Sequence, residues 1–343
     1  MAEEGDEGFV PEAASPADEE LPPQTAPVSI PVSLSGFETT ERAQEMADLI
    51  CGYLRELSRQ IDLSNLDGIT VAYDYDGALR NLDRGREYSR SLTKSDGDVV
   101  GIAMTPHVWR DGVLKSHMVF NAPYLDPLKD PKSEFYWATV YTLAHEAAHV
   151  EITHVFNSMF PDLIGSKTDD IAHMLRWDAI RGCWDEYAAC EISARWEDRS
   201  SVFEEAFLTA ADKARNQGND LIKLYRSHGE VSRIISELFA VYGNLAKLAG
   251  YLLGSVAGRQ GKWQDLEKTS AALSGHWFRG HFIALEEALG KIMSGYGTWP
   301  DRDSFEQLGD VIERIVAEGG AHIHRRDGRC FYIEIPFSEE TMP

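Results

Sequence analysis

Thr142-Leu143-Ala144-His145-Glu146-Ala147-Ala148-His149-Val150 is the stretch on which the reading of this chain turns. Tyr136, Val140, Leu143, Ala147 and Val150 recur at three- and four-residue steps, the period of one helix face. The spacing predicts a helix over 133–156 with this stretch inside it. A four-residue step turns about 400°, so His145 and His149 project from one side, away from the apolar stripe. Two imidazoles so placed suit one Zn²⁺ ion, and Glu146 lies about 100° round from the first of them. From there its carboxylate can act as general base on a water molecule. The expectation is one catalytic Zn²⁺ held by His145 and His149, with Glu146 as the catalytic residue.

A catalytic zinc takes a third protein ligand. Ile152 and Val155 stand where a glycine and a third histidine would continue the motif, so that ligand is expected from a later helix, as a carboxylate. The helix predicted over 171–197 carries Glu186 on a face with Gly182, Ala189, Cys190 and Ser193, small enough for close helix approach. Glu191, about 140° away, sits with Trp184, Tyr187 and Arg195. Glu186 is therefore the preferred ligand, with Glu191, Asp178, Asp185 or another histidine as alternatives. Tyr187 and His173 are candidate oxyanion donors, and His117, Tyr73 and Tyr75 are chemically suitable too. Asp169, Asp170 and Asp178 suit hydrogen bonding to the ligand imidazoles, or ordinary capping.

His145-Glu146-Ala-Ala-His149, followed 37 residues later by Glu186, resembles the gluzincin-type zinc metallopeptidases. The preceding helix and small sheet resemble the compact ImmA/IrrE-like core of that group, over roughly 37–200. The resemblance implies two His and one Glu on zinc, with the glutamate of HExxH as base. It also implies that an edge strand, Leu114 to Phe120, holds an extended peptide by backbone pairing. The implied activity is hydrolysis of a peptide bond, in a peptide or protein substrate of the bacterial cytoplasm. A second reading makes the helical C-terminal region the working part, a protein-interaction or regulatory module beside a zinc-bearing core.

Ahead of the motif, residues 37–57 carry an amphipathic helix pattern, and 68–75 and 99–104 read as strands. Arg110-Asp111-Gly112 reads as a tight turn into a strand over 113–120. After it, helices are expected over 200–216, 219–228, 230–257, 263–293 and 303–318, and a last strand, Cys330 to Pro336, is expected to rejoin the sheet. The expected fold is α+β: a small mixed or antiparallel sheet on the two site helices, zincin-like over 37–200, then a helical region over 201–343.

Residues 1–41 hold ten of the 56 acidic residues, six of the 14 prolines and no Lys or Arg, which points to a disordered tail over 1–36. The net charge of −23 argues against nucleic acid as the main partner. Leu238 to Ala257 is apolar but contains Asn244 and Lys247, and is expected as a buried helix packed through Gly250 and Gly254, not as a membrane span. Cys51, Cys183, Cys190 and Cys330 form no CxxC pair and read as reduced thiols of a cytoplasmic protein. His322 and His324, and the acidic run Asp74, Asp76 and Asp83, read better as structure than as a second metal site, while the aromatic, basic segment around His276 and His281 reads equally as a binding surface or a packed helix junction.

Overall fold

The computed structural model describes residues 21–88, 91–94, 101–161, 163–165, 170–325 and 331–342. In chain order the first elements are β1 (Val32–Ser35), α1 (Thr40–Leu57), β2 (Leu66–Ala72), α2 (Tyr75–Asn81), β3 (Ala103–Met104), β4 (His107–Arg110) and β5 (Val113–Asn121). The helices α3 (Tyr136–Met159), α4 (Ile171–Ser193), α5 (Ser200–His228), α6 (Val231–Gly258), α7 (Glu267–Leu273), α8 (Arg279–Ser294) and α9 (Asp303–Glu318) follow. The hairpin β6 (His322–Arg325) and β7 (Phe331–Glu334) comes last. The fold is thus mixed α+β, with a small sheet and many helices.

The sheet is mixed. β1 and β5 flank β2 in parallel, and β3 and β4 pair antiparallel with successive parts of β5. The turn at Asp111-Gly112 has φ of 51° and 80°, the left-handed conformation that a two-residue hairpin needs and that Asp-Gly tolerates. Two expectations fail here. β5 is not an edge, because β2 covers one side and β3 with β4 cover the other; the outer strands are β1 and the β3–β4 pair. The second concerns the tail: Val32–Ser35 forms a strand rather than disordered chain. Thr25 and Pro22 also tie the chain to the end of α1, through Thr25 Oγ1 donating to Ser58 O (2.9 Å) and Arg59 donating to Pro22 O (2.7 Å). Residues 1–20 lie outside the described residues.

α3 packs its apolar stripe, Val140, Leu143, Ala147 and Val150, with Met46, Ile50 and Leu54 of α1 and with Ile69, Val71, Met118 and Phe120 of the sheet. Its other side, through Tyr141, Ala148, Ile152 and Phe156, joins a second core that runs through α4 to α9. α3 is buried between two cores, as its near-continuous apolar composition requires. The helices α5 to α9 therefore share a core with the site helices.

The tightest helix packing is between α4 and α6. A Cβ on Gly250, Gly254 or Gly258 would meet a main-chain oxygen of α4 at 2.6, 2.1 or 2.3 Å: those of Cys183, Tyr187 and Glu191. Both series advance by four residues in the same sense, so the two helices run parallel, glycine face against carbonyl face. Cys183 and Cys190 both lie under this ladder. Among the described residues no helix is long and apolar enough to cross a membrane.

Other differences have local causes. The two helices expected over 200–228 are one, because Gly218 does not break α5; a Cβ there would stand 2.1 Å from the Tyr242 hydroxyl. The single helix expected over 263–293 is broken at Gly275, whose φ is +77°. β7 does not rejoin the main sheet but pairs with β6, and Cys330 lies outside the described residues.

Candidate functional site

Helical spacing brings His145 and His149 of α3 together, their Nε2 atoms 3.2 Å apart. Glu186 of α4 points its Oε2 at both, 3.2 Å from His145 Nε2 and 3.4 Å from His149 Nε2. These three side chains form a group that could hold a metal ion. Burial opposes charge on His149 and Glu186, but their mutual attraction prevails. His149 is lifted to about 9 by the Glu186 carboxylate, and Glu186 is held well below the usual carboxylate range by His149 and His145.

Glu146 is 7% exposed, and its Oε2 accepts a 2.6 Å hydrogen bond from Thr105 Oγ1, on the link between β3 and β4. His145 Nδ1 faces the Cys190 sulfur at 3.9 Å, and that sulfur also accepts from the Tyr141 hydroxyl at 3.4 Å. A thiol, not one of the expected aspartates, therefore lies behind the first imidazole. The rings of Tyr141 and Tyr251 stack on His145 with centroids 5.8 and 5.9 Å away. Tyr251 comes from α6; burial first, and then the facing charge of Glu186, raises its pKa.

A cavity of about 360 Å³ opens over these residues. The β3–β4 edge (Thr105, Pro106, His107) forms one wall, and Lys247 and Tyr251 of α6 form part of another. His107 is half-buried, and its Nε2 lies 3.3 Å from Thr153 Oγ1 of α3. Burial, then the positive charges of Arg181 and Arg84, push its pKa down to about 3, so it is neutral at pH 7. No protein-family model, curated protein or solved structure matches this chain.

The expected site residues are thus partly brought together. His145, Glu146, His149 and Glu186 converge on the cavity. Tyr187 does not, because it stacks on Trp184 and its hydroxyl turns to Glu191, itself outside the metal-holding group. His173 lines a neighbouring pocket beside Trp177. His117 is tied to Asp67 (3.0 Å) and Thr70 (2.9 Å) on the sheet, Tyr73 is exposed, and Tyr75 is buried beside Val119. Asp170 caps α4 by accepting from His173 N, Asp178 lines two neighbouring pockets, and Asp169 lies outside the described residues. Asp74 caps α2 and Asp83 closes a turn on Gly85 N. His324 pairs with Glu334 and His281 with Glu318.

Thr105, His107, Lys247 and Tyr251 were not singled out as site residues from the sequence. Only Tyr251 had a local signal: it sits inside the Gly250-x-x-x-Gly254 pattern, which promised close helix packing without naming the partner.

Proposed function

We propose that this chain is a zinc-dependent peptidase of gluzincin type. The observation that carries the reading is the triangle formed by His145 Nε2, His149 Nε2 and Glu186 Oε2, with sides of 3.2, 3.2 and 3.4 Å. Ligands at about 2.0–2.1 Å from a tetrahedral zinc are about 3.3 Å apart, so the three donors match one face of that tetrahedron. Two imidazoles and a carboxylate are also the donor set of catalytic, rather than structural, zinc sites.

His145, His149 and Glu186 would hold the ion, which supplies Lewis acidity toward a water and the scissile carbonyl. Glu146 takes the proton of the attacking water and later passes it to the departing amine. Thr105 fixes the Glu146 carboxylate through the 2.6 Å bond. Tyr251 and neutral His107 replace Tyr187 and His173 as the groups placed to donate to the developing oxyanion. The peptide lies along the 103–106 part of the β3–β4 edge, since β5 is interior and Arg84 already bonds the main chain of β4 at His107 and Trp109. The interaction-module reading has less support, because α6 brings Lys247 and Tyr251 into the same cavity as the motif.

The test is metal content and cleavage in wild type and Glu146→Gln. The wild type is expected to carry one zinc per chain and to cut peptides. The variant is expected to keep the zinc and lose cleavage, and to trap the substrate from a lysate. Protein purified without chelators and devoid of zinc would refute the reading.

A further inference from the structure

A second groove of about 340 Å³ between α4 and α6 adjoins the cavity over His145 and His149, and the two share Gly182 and Lys247. Ala179, Gly243 and Asn244 help to line the second groove. A Cβ on Gly182 would stand 4.0 Å from Lys247 Cδ, so the lysine stem lies along α4 at the one position there without a side chain. Lys247 thereby reaches both spaces while only half-exposed.

Among the described residues its charge has no ion-pair partner. The chain has 56 acidic residues against 33 basic ones, yet no carboxylate lies within 4.0 Å of the Lys247 ammonium among the described residues. The acids around it have other partners: Glu186 the two histidines, Glu146 Thr105, and Asp185 a two-pronged bond from Arg181. Asp178, one turn before Gly182 on α4, lines the same groove and the neighbouring pocket and has interactions of its own. A peptide lying over the groove would strip water from this half-exposed ammonium, and a substrate carboxylate would compensate for the loss. Lys247 and Tyr251 are one turn apart on the same face of α6, about 6 Å along the axis. That is the span of about two residues of extended peptide.

We propose that Lys247 binds a substrate carboxylate, so that the peptides this site selects carry an acidic side chain or a free C-terminus within about two residues of the scissile bond. The proposal rests on the peptidase reading and adds the substrate class to it.

The test uses full-length Glu146→Gln protein and four pools of fluorescently labelled octapeptides. The pools combine one fixed Glu or Gln with a C-terminal acid or amide, and binding is read by fluorescence anisotropy. A pool with a carboxylate is expected to bind about tenfold or more tighter than the pool with neither, and the Glu-amide and Gln-acid pools tell the two sources apart. Introducing Lys247→Met should abolish the difference at unchanged circular dichroism and melting temperature, while Lys247→Arg should retain it. Equal binding of all pools, no binding of any, or a preference that survives Lys247→Met overturns the proposal. Zinc content and cleavage of the same pools by the wild-type protein are measured alongside. Zinc and cleavage without acid preference defeat only the carboxylate site, whereas absence of zinc defeats the peptidase reading whatever the anisotropy reports.

Discussion

His107 links the β3–β4 edge to α3 through Thr153, and its pKa is pushed down to about 3 by burial and by Arg181 and Arg84. In the unfolded chain the same imidazole takes up a proton below about pH 6.5. Its contribution to stability is therefore complete above that pH and is lost as the pH falls toward 3, by at most about 1.4 kcal/mol per unit. Urea midpoints at about pH 7.5 and about pH 5 should differ, and His107→Gln should shrink the difference; an unchanged difference would contradict this role. On the peptidase reading, Thr105 is a positioning residue, through its hydrogen bond to Glu146. Thr105→Ala should lower kcat about 10–100-fold with little change in KM, and Thr105→Ser should restore it. Tyr251→Phe should lower kcat by about 10²–10³ while zinc content stays that of the wild type. At this scale the motif was readable, because helical geometry alone sets where His145, Glu146 and His149 point. Glu186 was readable as well, because small neighbours mark a face that can approach another helix. Thr105, His107 and Tyr251 were not, since their places depend on strand pairing and helix docking across long stretches of chain.

The element that decides most is α6. Its glycines meet the Cys183, Tyr187 and Glu191 carbonyls so closely that any side chain must push the helices apart. Gly254→Val should lower stability by about 3 kcal/mol or more, read as a shift in denaturant midpoint. It should also withdraw Tyr251 and Lys247 from the cavity, so peptide binding should fall even where zinc is retained. Arg176 ties α4 to α9 through Glu306, Asp310 and Glu313. It is only 5% exposed, but of the acids it would leave, Glu306 and Asp310 reach solvent and Glu313 keeps Arg325, so Arg176→Leu should cost about 1–3 kcal/mol, and circular dichroism at rising urea checks this. Helix periodicity showed that α6 is buried, but could not show against what. β5 was mistaken for an edge for a similar reason: alternation reports which faces of a strand are covered, and says nothing of which edges are paired.

Across the whole molecule, the core around Tyr141, Trp184, Leu252 and Ile312 is continuous from α3 to α9. A fragment ending near Arg199 would leave the faces of α3 and α4 bare and would lack Tyr251. It is expected to be insoluble or molten, whereas the full chain should unfold in one transition whether followed by tryptophan fluorescence or by circular dichroism. The charge also reads differently at this scale. A chain this acidic repels acidic peptides at a distance, so a carboxylate preference at Lys247 has to be won by contact, inside the groove.

The glycine ladder between α4 and α6 also sets a timetable during synthesis. Glu186 leaves the ribosome long before Gly250, Gly254 and Gly258 do, and at about 5–20 residues per second the interval is on the order of 4–15 s. Until then the growing chain carries the histidines and Glu186 but neither Lys247 nor Tyr251. If the chain is the peptidase proposed above, the order in which its helices emerge would keep a nascent chain from acting on its surroundings, or on itself.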